Sequence, residues 1–259
     1  MSEKQELKIA ILVLATSKNR ANWRNIKESY LYNMTLKTFL FSYDKEHNYK
    51  FYIGIDANDI IFDNAKQQCE ITKFTQAFPN IEFEFIVYDN NKVPKGHCTI
   101  MWNILFKKAY DNDYDYFYQC GDDIVFKTKG WINDSIEMLK NHNNIGLTGP
   151  INNNNRILTQ SFVSRKHMEI FGWYFPEEIK NWFCDDWYNM VYSPNYLYPL
   201  KNHYAENNGG QPRYNINNDP GFTGNNQAIF NKNVNILRDS TYNLANTHKQ
   251  VLEKYIKSL

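Results

Sequence analysis

Two adjacent carboxylates, Asp122 and Asp123, follow an aromatic run with the composition of a buried strand. The run covers 114–120, and Gly121 separates it from the acids. Paired carboxylates supply the hard oxygen ligands that Mg²⁺ and Mn²⁺ prefer. In an open α/β sheet, ligands bind beyond the carboxyl ends of the strands. The sequence therefore predicts a site for a metal ion and phosphate groups here. The alternative is a turn that uses aspartate only for local hydrogen bonds.

Polar side chains also follow the first two predicted strands. Thr16 ends the apolar run 8–16, and Asp56 follows the strand predicted over 50–55. Because parallel strands end at the same edge of a sheet, we expect both residues beside Asp122. A hydroxyl and a carboxylate there can bind a base imide and a ribose hydroxyl. The alternative for Asp56 is a helix cap.

Phosphate groups at this edge would need positive charge. The chain contains neither G-x-G-x-x-G nor G-x-x-x-x-G-K-[ST], so it supports neither a Rossmann dinucleotide site nor a P-loop. A metal ion, Mn²⁺ or Mg²⁺, would then neutralise the phosphates. Lys95 and His97 open the helix predicted over 96–110, where positive side chains suit a diphosphate or ribose. The alternative is a solvated basic turn.

Two later stretches could complete the chemistry. Asp185 and Asp186 begin a predicted helix between Trp182 and Trp187, and apolar packing there would raise a carboxyl pKa toward that of a general base. The alternative is a helix cap and first turn. His203 follows the strand predicted over 196–200 and would add a third metal ligand to the two acids. A structural histidine is the alternative.

The order of elements that positions these residues is typical of an α/β fold. Beyond residue 150 the periodicity loosens, 205–225 is predicted as a surface loop, and 232–257 as an amphipathic helix. We expect one domain: a Rossmann-like half over 7–126 with a mostly parallel sheet and helices on both faces, a less regular half over 127–231, and a helical segment over 232–259. Strands are predicted at 8–16, 50–55, 81–88, 114–120, 124–126, 145–148, 160–164 and 196–200, and helices at 21–41, 63–78, 96–110, 131–141, 166–171 and 185–192.

Composition narrows the class of function. The 259 residues carry a net charge of +1, so no global field favours nucleic acid or an anionic membrane. The four cysteines form no C-x-x-C pair, the N-terminus lacks the layout of a signal peptide, and the longest apolar run is too short to span a bilayer. We expect a cytoplasmic protein without a transmembrane segment. The abundance of asparagine and aromatics indicates an AT-rich genome.

In the order of its motifs over residues 7–205, the chain resembles the GT-A-fold nucleotide-sugar glycosyltransferases. The triplet Gly121-Asp122-Asp123 is similar to the D-D-D motif of fringe-like and β3-glycosyltransferases, with glycine replacing the first acid. The resemblance implies that Asp123 binds Mn²⁺ or Mg²⁺ and that Asp122 bridges to ribose or metal.

The later motifs fit the same resemblance. Asp185-Asp186 matches the acid pair of many inverting members, which implies Asp186 as the catalytic base. His203 matches a metal-ligand histidine of the polypeptide N-acetylgalactosaminyltransferases. The resemblance implies transfer of a sugar, with inversion, from a UDP-sugar to a hydroxyl on a glycan, protein or lipid-linked acceptor. Aromatic side chains are expected to stack on sugar faces: Trp173, Tyr174, Trp182 and Trp187.

Three other functions stay open. A noncatalytic nucleotide- or glycan-binding domain could keep this fold. Gly-Asp-Asp also marks the palm of viral polymerases, but the balanced charge argues against a nucleic-acid channel. A nucleotidyltransferase would carry a Gly-rich basic loop after the first strand, which is absent here. The missing membrane anchor and AT-rich composition suggest a bacterium, a protist or a large DNA virus, and the host cytoplasm in the viral case.

Overall fold

A computed structural model describes residues 6–20, 22–209 and 227–259, with the side chains of 227–230 left out. The described residues form eight strands in one sheet. The strands are β1 Lys8–Ala15, β2 Asn48–Asp56, β3 Ile81–Tyr88, β4 Tyr116–Gly121, β5 Ile124–Phe126, β6 Leu147–Ile151, β7 Ser161–Ser164 and β8 Leu197–Asn207. The α-helices are α1 Lys37–Ser42, α2 Ala65–Thr72, α3 Phe74–Ala77, α4 Cys98–Asp111, α5 Trp131–Lys140, α6 Lys166–Phe171, α7 Cys184–Tyr192 and α8 Gln227–Lys257.

The first four strands form a parallel sheet in the order β3-β2-β1-β4. After Lys8, strand β1 is apolar because it is covered on both faces. Ile9, Ile11 and Val13 lie in one core, while Ala10 and Leu12 lie in the other. The chain moves outward from β1 to β3 and then returns to the other side of β1. The sheet therefore has its switch point between the carboxyl ends of β1 and β4.

The second half of the sheet is mixed, within the part of the chain that was predicted to be less regular. Strand β7 lies between β4 and β6 and runs antiparallel to β4, while β6 pairs in parallel with β8. Strand β5 ends the sheet and pairs antiparallel with β8. Because β7 runs against β4, its first residues lie at the carboxyl end of β4. The α/β fold class is confirmed.

Several element boundaries differ from the sequence predictions, most clearly in two helices and one strand. The helix predicted over 21–41 is a 3₁₀ turn at Ile26–Glu28, a π-helical stretch at Leu31–Leu36, and then α1. The helix predicted over 63–78 divides into α2 and α3 at Lys73. Strand β8 extends to Asn207, so the predicted loop begins later; 210–226 lies outside the described residues.

The C-terminal helix α8 packs on α6 and α7, with Ala245 and Leu252 buried in the second core. Within the part of the chain described here, no helix has the length and apolar character needed to cross a membrane.

Candidate functional site

The acidic turn lies at the switch point of the sheet. Leu14 of β1 is in register with Gly121 of β4, so the residues that follow each strand meet at one edge. Asp122 is fully buried, and Asp123 is half-buried. Burial of a carboxylate requires compensating partners. Both acids lie directly after the fourth strand, where the sequence predicted them.

Two glycines enclose the carboxylate of Asp123. A Cβ atom on Gly121 would lie 2.5 Å from Asp123 Oδ1, and one on Gly209 would lie 1.7 Å from Oδ2. The backbone N–H of Asn208 donates to the carbonyl oxygen of Asp123 at 3.0 Å. The chain beyond β8 thus passes directly over this acid. Only glycine allows that approach without displacing the carboxylate.

A cleft of about 490 Å³ opens beside the ends of β1 and β2. It brings together three of the residues predicted from the sequence: Thr16, Asp56 and Lys95. Lys18 and Arg20 line it as well, so the cleft carries cationic side chains beside a hydroxyl and a carboxylate. Groups of these kinds can hold the base, ribose and phosphates of a nucleotide.

Asp59, which the sequence analysis did not single out, organises one wall of the cleft. Its Oδ2 accepts hydrogen bonds from Ser17 N at 2.8 Å and Thr16 Oγ1 at 3.2 Å. Its Oδ1 accepts from Ser17 Oγ at 2.7 Å and from the backbone amides of Ile61 and Phe62. The carboxylate therefore ties the loop after β1 to the loop after β2. The helix-cap role that was the alternative for Asp56 belongs to Asn64, whose side chain accepts from the amides of Lys66 and Gln67.

Arg20 is a second residue that sequence reasoning missed. Its guanidinium lies over the Tyr30 ring, 5.0 Å from the centroid, and donates from Nη2 to Gly209 O at 3.1 Å. It thereby joins the first loop of the chain to the segment that covers Asp123. The sequence signal was weak because the two partners are 189 residues apart.

The structure does not bring His97 into this cleft. His97 is the residue before α4 and is absent from the cleft lining among the described residues. Its imidazole is half-buried, and desolvation together with the nearby Lys180 charge lowers its pKa. A lowered pKa keeps the ring neutral at neutral pH, so the predicted cationic role at a diphosphate is not favoured.

The structure does not place His203 beside Asp122 and Asp123. Ile124, the residue after Asp123, pairs with Asn207. His203 lies four residues before Asn207 in β8, roughly 13 Å from it at the usual rise of a strand. Its Nε2 is 2.7 Å from Asp134 Oδ2, and its Nδ1 is 3.1 Å from Thr128 Oγ1. Both ring nitrogens are engaged, and the side chain belongs to a different cleft beside α5.

Asp185 and Asp186 occupy the first turn of α7, as predicted, but neither caps it. The cap position is Phe183, in the left-handed region with φ 70°, and it makes no side-chain cap bond. Desolvation, with a smaller contribution from the Asp186 charge, raises the pKa of Asp185 to about 7. Desolvation also raises the pKa of Asp186, and the Arg156 charge opposes that rise. Raised carboxyl pKa values suit a general base.

Loop 152–158 connects Asn189, in the middle of α7, to the edge that carries Asp123. Asn189 of α7 donates to Leu158 O at 2.7 Å and accepts from Leu158 N at 3.1 Å. Asn153 makes the same reciprocal pair with Asn207, at 2.8 and 3.1 Å. Because Asn207 pairs with Ile124, one short loop links both acid pairs.

Two of the four aromatic residues expected to stack on sugars are unavailable. Tyr174 and Trp187 have no exposed surface. Tyr174 OH bonds to Ser161, and the Trp187 indole N–H donates to His248 Nδ1 at 3.1 Å, so both belong to the core. Trp173 and Trp182 remain half-buried and keep some surface for a ligand.

Comparison with solved structures identifies the fold. Over 96% of this chain and 72% of the other, it matches residues 1–349 of S. aureus TarS, a glycosyltransferase, in complex with UDP-GlcNAc, with a TM-score of 0.56 and 14% identity. The chain has a GT-A-like glycosyltransferase fold. The UDP complex of the same TarS fragment matches with a TM-score of 0.51 and 14% identity, over 77% of this chain and 60% of that one.

A longer S. aureus TarS chain matches with a TM-score of 0.50 and 13% identity over 76% of this chain. This chain spans only 36% of that TarS chain. No protein-family model and no curated protein sequence matches it. At these identities the likeness establishes the fold and leaves the chemistry to the residues of this GT-A-like chain.

The acidic turn fits a divalent metal held jointly with phosphates. Among residues 6–20, 22–209 and 227–259, no group of three or more His, Cys, Asp or Glu side chains is arranged to hold a metal ion. Mg²⁺ is usually bound by one or two carboxylates plus substrate phosphates rather than by an all-protein cage. Asp123, half-buried between two glycines, can supply one such carboxylate.

Proposed function

We propose that this chain is a metal-dependent glycosyltransferase that moves a sugar from a UDP-sugar to a hydroxyl of a glycan, protein or lipid-linked acceptor. The observation that carries the proposal is the acidic turn Asp122-Asp123 at the sheet switch point, beside a cleft lined by hydroxyl, carboxylate and cationic side chains. The TarS structures with UDP and UDP-GlcNAc support a nucleotide-sugar donor.

The donor would occupy the cleft with its nucleoside toward β1 and β2. Asp56 accepts the imide N–H of the base, and Thr16 contacts the ribose or base. Asp123, which keeps part of its surface exposed, binds the metal, while Asp122 has no exposed surface and stays within the turn. When bound, Mn²⁺ or Mg²⁺ supplies positive charge that neutralises the leaving diphosphate. Lys95 adds charge at the same cleft.

The acid pair on α7 would activate the acceptor. The acceptor oxygen attacks the anomeric carbon and gives its proton to Asp186, while the bond from that carbon to the diphosphate oxygen breaks and UDP leaves. The configuration inverts. Because the pKa of Asp185 is about 7, that residue holds a proton for part of the time at neutral pH. The pair can then share one negative charge, which Asp186 uses as the base.

The test is release of free UDP from a panel of UDP-sugars with Mn²⁺ and candidate hydroxyl acceptors. We expect release to depend on the acceptor and to fall at least a hundredfold in Asp186→Asn, within the range that a general base contributes. The exposed helix residue Asp239→Asn is the matched control and should retain full release. Tight UDP binding without any release would instead identify a noncatalytic binding domain.

A further inference from the structure

We propose that Thr35 is a positioning residue that fixes the peptide between Asp123 and Ile124 and thereby aims the Asp123 carboxylate. This inference rests on the proposed role of Asp123 in donor binding. Thr35 is fully buried, and its Oγ1 accepts a hydrogen bond from the backbone N–H of Ile124 at 3.0 Å. The two residues are 89 positions apart in the chain.

Both polar groups of this one peptide are held from opposite sides. The carbonyl oxygen of Asp123 accepts from Asn208 N, and the N–H of Ile124 donates to Thr35. A peptide group is planar, so fixing its two ends sets its orientation. That orientation sets ψ of Asp123 and hence the direction in which its side chain leaves the backbone.

The π-helical stretch gives Thr35 its position. Leu31–Leu36 forms a π-helix immediately before α1. Such stretches are rare overall, but where they occur they are often at functional sites. Three residues later, Thr38 lies on the same helical face and accepts from Phe126 N at 3.0 Å. The two hydroxyls thus accept hydrogen bonds from backbone N–H groups of β5 on the side away from β8. Of these two bonds, only the one to Thr35 involves the peptide group between Asp123 and Ile124.

Thr38 provides a control because its bond to the β5 backbone has the same chemistry and length; its hydroxyl is half-buried and also donates to Met34 O. In Thr35→Val the shape is kept and the acceptor is lost, which leaves the buried Ile124 amide unpaired; Thr35→Ser restores the hydroxyl. We expect Thr35→Val to weaken binding of UDP with Mn²⁺ roughly tenfold, the change that corresponds to one lost hydrogen bond at the site. Thr35→Ser should bind within about twofold of the parent chain.

The control separates positioning from folding. Thr38→Val should lower the melting temperature about as much as Thr35→Val, while its UDP affinity stays unchanged. Equal UDP affinities in the two valine variants, or a Thr35→Ser variant as weak as Thr35→Val, would overturn the proposal.

Hydrogen exchange keeps the inference separate from the proposed function. If the unaltered chain fails to bind UDP with Mn²⁺, the proposed donor site is wrong. Exchange at the Ile124 amide still decides whether Thr35 holds this peptide. Faster exchange at Ile124 in Thr35→Val, with Thr38→Val affecting Phe126 instead, supports positioning of the turn. Unchanged exchange at Ile124 overturns it.

Discussion

The parallel strands β3-β2-β1-β4 and the mixed strands β7-β6-β8-β5 contribute to the site in different ways. The parallel half supplies the chemical groups directly, because Thr16 and Asp123 lie just beyond the ends of β1 and β4 and Asp56 is the last residue of β2. The mixed half supplies cover and orientation: Gly209 encloses Asp123, and Asn207 anchors loop 152–158. The first half therefore determines which groups are present, and the second determines how they point.

The sharpest test of this division changes only the mixed half. In Gly209→Ala, a Cβ atom would stand 1.7 Å from Asp123 Oδ2, so the carboxylate or the covering backbone must move. We expect UDP affinity with Mn²⁺ to fall by more than about tenfold, as for loss of a charged contact. Isothermal titration calorimetry measures this directly.

A glycine elsewhere separates crowding from backbone strain. Gly130 has φ +80° and open space around the Cβ position, so Gly130→Ala strains the backbone without touching the site. The Gly130→Ala variant should have a free energy of unfolding roughly 1 kcal/mol lower than that of the parent chain, with the same affinity for UDP. Equal losses of affinity in both alanine variants would remove the special role given to Gly209.

A change in the parallel half tests the cleft wall. Asp59→Asn replaces one of the two acceptor oxygens that tie the loops after β1 and β2 together. We expect a loss of roughly 1–3 kcal/mol in stability and a several-fold loss in UDP affinity, because buried donors lose a charged partner. Chemical denaturation and calorimetry give the two values. Among the described residues, Asp63 accepts one hydrogen bond, from the backbone N–H of Asn58 in the same turn. Asp63→Asn should therefore reduce stability and UDP affinity by less than Asp59→Asn does.

The pH dependence of stability examines the acid pair on α7. The pKa of Asp185 is about 7 in the folded protein, above that of an ordinary aspartate, so the folded state keeps a proton that the unfolded chain has lost. Above about pH 7 the folded protein must hold a charged Asp185 in a desolvated position, which lowers its free energy of unfolding. Below about pH 4 the carboxyl is protonated in both states, so this loss of stability vanishes.

Asp185→Asn removes that loss of stability. The substitution should raise the free energy of unfolding relative to the parent chain, and this rise should be roughly 1–3 kcal/mol larger at pH 8 than at pH 4. Denaturant titrations at the two pH values provide the comparison. A difference of the opposite sign, or none, would mean that the carboxyl has an ordinary pKa.

The smallest effect is expected at His203. Its ring nitrogens bond to Asp134 and Thr128, far from the acidic turn. His203→Gln should therefore leave Mn²⁺-dependent UDP binding unchanged and lower stability by about 1 kcal/mol. A marked loss of UDP affinity would contradict the position of β8 and restore the histidine to the site.

How far the sequence could predict the site follows from the same comparison. The apolar runs at β1 and β4 are covered on both faces, and their ends carry Thr16, Asp122 and Asp123, so local composition was sufficient to find them. Asp56 and Lys95 were found in the same way. These residues need only the rule that parallel strands end together.

Contacts between distant segments could not be predicted in this way. The partners of Arg20 and Thr35 are 189 and 89 residues away, and neither pair leaves a local pattern. His203 lies within β8 and not beyond its end, because the strand continues to Asn207, past the aromatic residues that suggested where it stops. Asp59 leaves no local pattern either, because the residues of the first loop that it holds are 42 and 43 positions away.

The central claim is that Asp123 holds a divalent ion which in turn holds the diphosphate of a UDP-sugar. Calorimetry of UDP with and without Mn²⁺, on the parent chain, Asp123→Ala and the exposed-acid control Asp239→Ala, tests it most directly. The account predicts binding that requires Mn²⁺, is lost in Asp123→Ala and is retained in Asp239→Ala. Binding that is equally strong without the metal, or undiminished in Asp123→Ala, would contradict it.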